Sequence, residues 1–401
     1  MKIKSNITDK ASRLEYINIF LLIVCSGSLI NLILFRYTMI LFLFISIYHK
    51  WKCRGIKKNQ SRPLLFILLS LIVITTIIHG TSGNTIIALF INIIGAYATI
   101  SSYSLNKFKR IYLNVTFFLC LTSIFIYIGS HAYLLPISQC KMENVTIMYS
   151  FFHTIGWNGM LFNRIAGIFT EPGAYQFCLN FALVLFLEDI KTLHLKKNEI
   201  YKIGTIIFTI ILCGSTIGYL VLITIIIYTI SRLKIKYKAI SLPLIALIAF
   251  WGIKGLVLSD NISGKFSQEG EGSSLMMRQA DNIALLQMIS DSPILGNGIK
   301  SNIYNKKSEK YGNNTSSNGV LAAIASIGIG WLIFYIIYCY KASKKMYRDV
   351  SPIIIIGITL LIQTNENFSF MPFIFIFLFQ FNSYENKVLN HHDLLQQPTR
   401  N

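Results

Sequence analysis

The sequence contains few charged residues for its length, and acidic residues are the scarcest of them. Only 13% of the 401 residues are charged, and 17 Asp and Glu stand against 37 Lys and Arg, which gives a net charge of +20. A soluble chain of this length would interleave its apolar segments with charged helix faces. The shortage of charge therefore excludes an ordinary soluble protein, and the 53% hydrophobic content indicates a membrane protein.

Motifs for nucleotide, metal and disulfide chemistry are also missing from the sequence. The chain has no Walker motif, no dinucleotide-binding fingerprint and no convincing Ser–His–Asp set, and its seven His residues are scattered. Of the seven Cys residues, only Cys140 falls in a segment predicted to lie on the outer side of the membrane, so no outer disulfide is expected. The sequence therefore predicts an activity without metal or cofactor.

Apolar runs rich in Ile, Leu and Phe recur along the whole chain. A hydrocarbon core of about 30 Å needs roughly 20 apolar residues per helix, and this length predicts about twelve membrane helices. We divide two long runs, one at Asn31–Arg36 and one at Gly214–Thr216. The fold class is predicted to be all-α, with residues 1–401 as one polytopic integral membrane domain. The predicted spans are 17–34, 37–49, 63–79, 85–104, 111–130, 174–188, 203–213, 217–231, 239–257, 317–340, 352–363 and 370–382.

Lys and Arg cluster in every second gap between the apolar runs. Because basic residues in short loops stay on the cytoplasmic side, this alternation places both termini in the cytoplasm, with a polar tail over about 384–401. The charge lies at helix ends and not on one groove-sized face, so we predict no nucleic-acid partner. The basic clusters occupy 2–13, 50–62, 107–110, 191–202, 232–238 and 341–348.

Two long segments of mixed polarity fall in the remaining gaps, which places them on the outer side. They cover about 131–173 and 258–316. Long loops in compact proteins are usually functional or disordered, and the aromatic content of the first argues against disorder. The second contains Ser273–Ser290, with Leu275, Met276, Ile283, Leu286 and Ile289 at helical spacing. This segment is predicted to be an amphipathic helix that lies along the membrane surface.

The first candidate site lies where the first outer segment re-enters the membrane. Arg164 is permanently charged and offers donors that suit phosphate oxygens, and Glu171 follows in a position where it could act as a general base. Pro172 and Gly173 favour a turn that would direct Glu171 into a cavity. Tyr175 follows as a candidate substrate contact. An Arg–Glu salt bridge that merely anchors the loop is the alternative interpretation.

Further candidate residues lie in the second outer segment and its surroundings. Arg278 and Asp281 are three residues apart and share one face of the amphipathic helix, although a surface ion pair would explain them equally well. Gly residues near the end of this segment allow tight turns and close packing. The predicted substrate-binding residues of this part of the chain are Asp281, Gly296, Gly298, Ser317 and Asn318.

Taken in order, these motifs resemble those of the bacterial O-antigen polymerase and O-antigen ligase superfamily, over about residues 160–335. The break at Gly214-Ser215-Thr216 is similar to a family segment that carries an arginine, which this chain lacks. The three motifs that carry the resemblance are Arg164-x-x-Gly167-x-Phe169-x-Glu171-Pro172-Gly173, then Arg278 with Ala284-Leu-x-x-Met288-x-x-Asp291-x-Pro293-x-Leu295-Gly296-x-Gly298, and Asn318-x-x-Leu321 with Gly328-x-x-x-Leu332.

The resemblance implies a glycosyltransferase of the bacterial inner membrane that uses sugars carried on undecaprenyl pyrophosphate, as donor and as acceptor, at the periplasmic face. It implies Arg164 and Arg278 as pyrophosphate contacts and Glu171 as the base. Ligases of the family carry a His where this chain has Ser317, which favours the polymerase. Membrane lipid is an expected partner, and a chain-length regulator is a further candidate that the sequence does not identify.

Three alternatives remain open from the sequence. An O-antigen ligase would transfer the glycan to lipid A–core. A flippase for lipid-linked oligosaccharide would also have about twelve helices, but transporters tend to place ionisable groups within the spans, and here Lys254 is the nearest case. A scaffold without catalytic activity would give no reason for two outer arginines near acids.

Overall fold

A computed structural model describes residues 11–53, 61–142, 145–192, 194–231, 274–312, 318–364, 367 and 369–382 of the chain. The described residues are mainly helical. The helices are α1 (Arg13–Val24), α2 (Leu29–Ile33), α3 (Phe35–Lys52), α4 (Arg62–His79), α5 (Gly83–Ser102), α6 (Leu105–His131), α7 (Pro172–Leu185), α8 (Leu187–Thr192), α9 (Lys197–Cys213), α10 (Thr216–Ser231), α11 (Ser274–Asp291), α12 (Asn302–Tyr311), α13 (Gly319–Ile327), α14 (Ile329–Met346), α15 (Pro352–Gln363) and α16 (Pro372–Ile376).

Three of the described helices, α4, α5 and α6, are each long and apolar enough to cross a membrane. The pair α13 and α14 passes the same test together, although it bends by 120° at Gly328. Shorter apolar helices are α7, α10 and α15. These features make the chain a membrane protein, whereas the number of about twelve spans remains a prediction. The predicted span 239–257 lies outside the described residues.

The helix breaks follow local sequence where glycine or polar residues interrupt the apolar runs. Helix α9 ends at Cys213, Gly214 takes the left-handed conformation with φ of +58°, and α10 begins at Thr216. This confirms the predicted division at Gly214–Thr216. The first run breaks twice, at residues 25–28 and again between α2 and α3, and the second break falls within the predicted stretch Asn31–Arg36.

The predicted spans 317–340 and 370–382 differ from the structure. The first is divided at Gly328, whose φ is +95°. A Cβ added to Gly328 would lie 1.9 Å from the Ile294 carbonyl oxygen, so only glycine fits at this position. In the second, only Pro372–Ile376 is helical. Because residues 373–379 are all buried, tertiary packing rather than a lipid-facing helical surface sets their conformation.

The first outer segment contains a small antiparallel sheet, so the all-α prediction was wrong here. Its four strands, in the order β1-β2-β3-β4, are β1 (Ser138–Met142), β2 (Val145–Ser150), β3 (His153–Trp157) and β4 (Met160–Leu161). Ser138 pairs with Tyr149, and Tyr149 pairs with Thr154. A small apolar cluster of Ile126, Met148 and Ile155 fixes the sheet against α6.

One end of the helix bundle collects the basic loops. Glu15 accepts hydrogen bonds from Lys107 at 2.6 Å and from His49 at 3.3 Å. Lys109 forms a salt bridge with Asp189 at 2.6 Å. The Lys191 ammonium donates to the Asp349 backbone carbonyl at the same end. We call this end of the bundle the lysine end. The described residues of the predicted basic clusters 50–62, 107–110, 191–202 and 341–348 therefore share one end of the molecule.

The opposite end, here the loop end, holds the sheet, the start of α7 and the break between α9 and α10. The Leu29 amide donates to the Ile168 carbonyl at 2.7 Å, and the Phe373 amide donates to the Ser26 hydroxyl at 3.3 Å. The Ser369 hydroxyl donates to the carbonyl of Gly319 at the start of α13. These contacts join the first outer segment to the second at the same end of the bundle.

Candidate functional site

The loop that carries Arg164 is held by backbone hydrogen bonds from three directions. The Ile165 amide donates to the Leu212 carbonyl at 3.1 Å, near the end of α9. The Thr154 amide on β3 donates to the Gly167 carbonyl at 2.8 Å. The contact between Leu29 and Ile168 supplies the third anchor. Since these bonds fix consecutive parts of the loop, the backbone holds Arg164 in position.

Arg164 lies against the break between α9 and α10. A Cβ built on Gly214 would lie 3.6 Å from both Cβ and Cδ of Arg164, which is ordinary van der Waals contact. The guanidinium therefore stands beside the carboxyl end of α9, where helix carbonyls carry partial negative charge. The structure thus brings together Arg164 and the Gly214-Ser215-Thr216 segment, which the sequence had linked only by resemblance.

Gly167 gives the loop the space it needs to pass the first turn of α7. Its φ is +59°, and an added Cβ would lie 2.8 Å from the ring of Tyr175. The Tyr175 ring also stacks on Phe169 with 5.8 Å between the ring centroids. Tyr175 is fully buried, and its hydroxyl accepts a hydrogen bond from Ser123 at 3.2 Å. Its contacts in the structure are those of a packing residue that shapes the Arg164 loop.

Glu171 occupies the N-cap position of α7, with extended backbone at φ −150° and ψ 157°. Pro172 takes the first helical position, where the missing amide hydrogen costs nothing, and Gly173 continues the first turn of the helix. The predicted separate turn at Pro172–Gly173 is therefore the start of α7. The Glu171 side chain makes no capping hydrogen bond. It is half-buried, and its carboxylate forms no salt bridge within the described part of the chain.

The sheet supports Glu171 from the other side. The Trp157 indole donates to the Thr170 carbonyl at 3.1 Å, directly before Glu171. On the same strand, His153 is buried between the Phe151 carbonyl at 3.0 Å and the Thr122 hydroxyl at 3.1 Å. Burial lowers the pKa of His153, which favours the neutral imidazole in the sheet. The unpredicted sheet is thus the support of the Glu171 backbone.

Two buried polar residues of α7 were missed by the sequence reasoning. Gln176 and Asn180 are fully buried. The side-chain amide of Asn180 donates to the side-chain oxygen Oε1 of Gln176 at 2.7 Å and to the backbone carbonyl of Gly218 at 3.4 Å. Within the described residues, Gln176 Nε2 and Asn180 Oδ1 have no hydrogen-bond partner. Their spacing of four residues in an otherwise apolar helix is the signal that would have identified them.

Arg278 lies on α11, whose bounds confirm the predicted amphipathic helix within one residue. Asp281 is buried at 2% exposure, together with Ala284, Leu285 and Met288. The predicted apolar face is turned differently, because Ile283 and Leu286 are 58% and 51% exposed. The helix therefore packs on α13 through the face of Asp281 and leaves a second apolar face open.

The glycines at the end of the second motif hold α11, α13 and α4 together. Gly296 has φ of +65°, and an added Cβ would lie 2.4 Å from the Ser326 backbone. Gly298 has φ of +84°, and its Cβ would lie 2.4 Å from His79. The amides of Asn297 and Gly298 donate to the carbonyls of Ala325 and Ser326. In the structure these glycines make packing contacts, and substrate contact by Gly296 and Gly298 remains a prediction.

Asn318 caps α13, since its side-chain oxygen accepts a hydrogen bond from the Leu321 amide at 3.1 Å. Ser317 lies outside the described residues. The structure therefore forms two groups at the loop end. Arg164, Glu171 and the Gly214 break make one, and Arg278, Asp281 and Asn318 lie on the packed helices α11 and α13. Within the described chain, no group of three His, Cys, Asp or Glu residues could hold a metal ion.

The family comparison covers the part of the chain that carries the second and third motifs, and the first motif lies outside it. No curated protein matches the chain. Residues 203–336 match the family model described as O-antigen ligase, and this stretch includes the α9–α10 break, Arg278 and the bend between α13 and α14. The match over residues 203–336 places this part of the chain in the O-antigen polymerase and ligase superfamily.

Proposed function

We propose that the protein is an O-antigen polymerase, which joins lipid-pyrophosphate-linked oligosaccharide repeats into O-antigen or a related surface polysaccharide at the loop end. The observation that carries the proposal is the arrangement of Arg164 and Glu171. The guanidinium is held at a helix break, and a carboxylate without a salt bridge in the described chain stands at the start of the next helix. Both are anchored by backbone hydrogen bonds, which keeps their positions fixed before substrate arrives.

The reaction requires a base for the acceptor hydroxyl and positive charge for the leaving group. Glu171 takes the proton of the acceptor hydroxyl, whose oxygen then bonds to the anomeric carbon of the donor glycan. The bond from that carbon to the pyrophosphate oxygen breaks, and its electron pair leaves with the lipid pyrophosphate. Arg164 and Arg278 stabilise the negative charge that develops there.

The second group extends the site. Asn318 begins α13, whose amino-terminal end points backbone amides toward the loop end. Arg278 lies on α11, which packs on α13. We propose that this unit binds the lipid pyrophosphate from the side opposite to Arg164. The match of residues 203–336 to a family model supports a shared substrate class for this part of the chain.

The ligase is the second candidate, and the description of the matched family model favours it. Ser317 favours the polymerase, because ligases of the family are expected to carry a His there. A flippase is the third candidate, but a transporter gives no role to the backbone-anchored pair of Arg164 and Glu171. These functions predict different glycans at the cell surface.

A deletion strain tests the assignment. We expect the surface glycan, separated on a gel, to contain single repeat units attached to lipid A–core and no longer chains. Loss of all attachment would assign the protein as the ligase instead. Accumulation of lipid-linked repeats on the cytoplasmic side, with no glycan at the surface, would assign it as a flippase. Re-expression of the full chain should restore the long chains and serves as the control.

A further inference from the structure

A second charged site, distinct from the loop end, lies among α3, α4 and α5 at the lysine end. The ammonium of Lys50, in the last turn of α3, is buried and has no hydrogen-bond partner within the described residues. It sits 3.4 Å from the centroid of the Tyr97 ring of α5. A cation–π contact stabilises an ammonium only partly, since it supplies none of the acceptors that three N–H donors need.

A second cation lies close to Lys50. Arg62 begins α4. Burial of the Lys50 ammonium lowers its pKa to about 8, and the positive charge of Arg62 contributes to this shift as the second cause. Arg62 also interacts with the Tyr97 hydroxyl. Two cations thus face one aromatic side chain, and one of them is buried. Such an arrangement is unfavourable unless an anion accompanies it.

A third cation lies near this pair. The Lys345 ammonium at the end of α14 donates to the Gln380 side chain at 2.8 Å, and the Gln380 amide donates to the Ser61 hydroxyl at 2.9 Å. Ser61 directly precedes Arg62. Lys345 therefore reaches the start of α4 through one glutamine. The three basic residues come from three different helices, as in a basic pocket between membrane helices.

The sequence places no carboxylate near Lys50 or Arg62 along the chain. The sequence contains no Asp or Glu between Glu15 and Glu143, which covers α3, α4, α5 and the loops between them. Glu15 itself is bound by Lys107 and His49. The missing acceptor must therefore come from a distant part of the chain or from a bound anion.

The surroundings identify the source of that anion. On α3, Tyr48 and Trp51 flank Lys50, are 51% and 55% exposed, and stack on each other at 6.2 Å. Aromatic residues of this kind favour the headgroup level of a membrane. On α4, Phe66 one turn beyond Arg62 is 67% exposed, and most of that helix is unburied and apolar. The Lys50 ammonium therefore lies between headgroup-level aromatics and surfaces suited to acyl chains.

We propose that Lys50 and Arg62, with Lys345 nearby, bind the phosphate group of an anionic membrane phospholipid between α3, α4 and α5. The phosphate supplies the acceptors that the buried ammonium lacks, and Arg62 donates to the same oxygens. The acyl chains lie along the exposed apolar faces of α3 and α4. This site is at the opposite end of the bundle from Arg164 and Glu171, so it holds a lipid that is not substrate.

Native mass spectrometry of the full chain, purified in detergent with added phosphatidylglycerol, tests the proposal. We expect retained phospholipid in the unaltered protein and about fivefold weaker retention in Lys50→Gln and in Arg62→Gln. Lys52→Gln is the matched control, because Lys52 is on the same helix, is exposed and carries the same charge. Its retention should equal that of the unaltered protein. Phosphatidylcholine should be retained less than phosphatidylglycerol in every case.

Further arms separate the sources of the anion. Displacement of the lipid by millimolar inorganic phosphate would show that the site binds phosphate but would overturn the lipid as its source, and would assign the site to a soluble anion. Equal retention by Lys50→Gln, Arg62→Gln and Lys52→Gln would overturn the proposal. Arg62 is exposed, so Arg62→Gln remains informative if Lys50→Gln does not fold.

Discussion

Glu171 at the loop end is held differently from the carboxylates of the lysine end. At the lysine end, Glu15 is bound by Lys107 and His49, and Asp189 is bound by Lys109. At the loop end, the Glu171 carboxylate has no salt bridge within the described chain and does not cap its own helix. Paired carboxylates join helices, whereas an unpaired carboxylate on a rigid backbone is suited to accept a proton. The difference supports structural roles for Glu15 and Asp189 and the proposed catalytic role of Glu171.

The largest effect is expected from Glu171→Gln. The amide keeps the size of the side chain but cannot accept the proton, and loss of a general base typically lowers a rate by about 10²–10⁴-fold. Polymer length on a surface-glycan gel is the measurement, and single repeats are the expected product. Glu309→Gln, at an exposed carboxylate of α12, is the control and should leave long chains. Normal polymer from Glu171→Gln would reassign Glu171 to loop structure.

The next largest loss of chain growth, after Glu171→Gln, is expected from Arg164→Ala and Arg278→Ala. Removal of one contact to a developing charge typically lowers the rate by about 10²–10³-fold. Glycan gels of both variants should show mainly single units, while immunoblots show normal amounts of protein in the membrane. Lys306→Ala removes an exposed cation from α12 and is the matched control. Long chains in both arginine variants would contradict the pyrophosphate role.

Gly167→Ala sharpens the comparison by disturbing only the loop end. The methyl group would lie 2.8 Å from the Tyr175 ring, and the left-handed backbone would be strained by about 1–3 kcal/mol. We expect a lower thermal unfolding midpoint in detergent and reduced chain growth. Gly204→Ala is the control, since nothing lies within 4 Å of the added carbon on α9. Equal midpoints for both variants would show that Gly167 does not constrain the loop.

The smallest effect concerns pH at the lysine end. Burial raises the pKa of Glu15, but hydrogen bonds from His49, Lys107 and the Ser12 amide outweigh it and lower the pKa from 4.5 to about 2. The stability that Glu15 contributes is thus complete above about pH 5 and is lost as the pH falls from 4.5 toward 2. Thermal unfolding of Glu15→Gln should show a weaker decline over this window than the unaltered protein. An identical decline would mean that other carboxylates cause it.

Local sequence determines some of these features and not others. The break at Gly214–Thr216 and the bounds of α11 follow from glycine, polar residues and helical spacing, and both were predicted. The sheet was not, because its strands are short and the β2–β3 turn uses Phe151 and Phe152 at positive φ, where a glycine or asparagine would have signalled a hairpin. The bend at Gly328 depends on the approach of Ile294, which is distant in sequence.

The candidate site divides in the same way. Arg164 and Glu171 stand out in the sequence because a charged side chain next to an apolar run is costly and therefore informative. Arg164 contacts Gly214, and Trp157 supports the backbone next to Glu171. Both are tertiary contacts, which no local sequence pattern specifies. Gln176 and Asn180 were missed, since polar amides within an apolar helix resemble ordinary helix–helix hydrogen bonding.

Reconstitution tests the central claim most directly. Purified protein in liposomes would be given a single repeat unit linked to undecaprenyl pyrophosphate, with EDTA present, and the products separated by length. We expect chains of two or more repeats with the unaltered protein and none with Glu171→Gln. Transfer only to added lipid A–core, or chain growth that Glu171→Gln leaves intact, would contradict the assignment of a polymerase whose chemistry resides at the loop end.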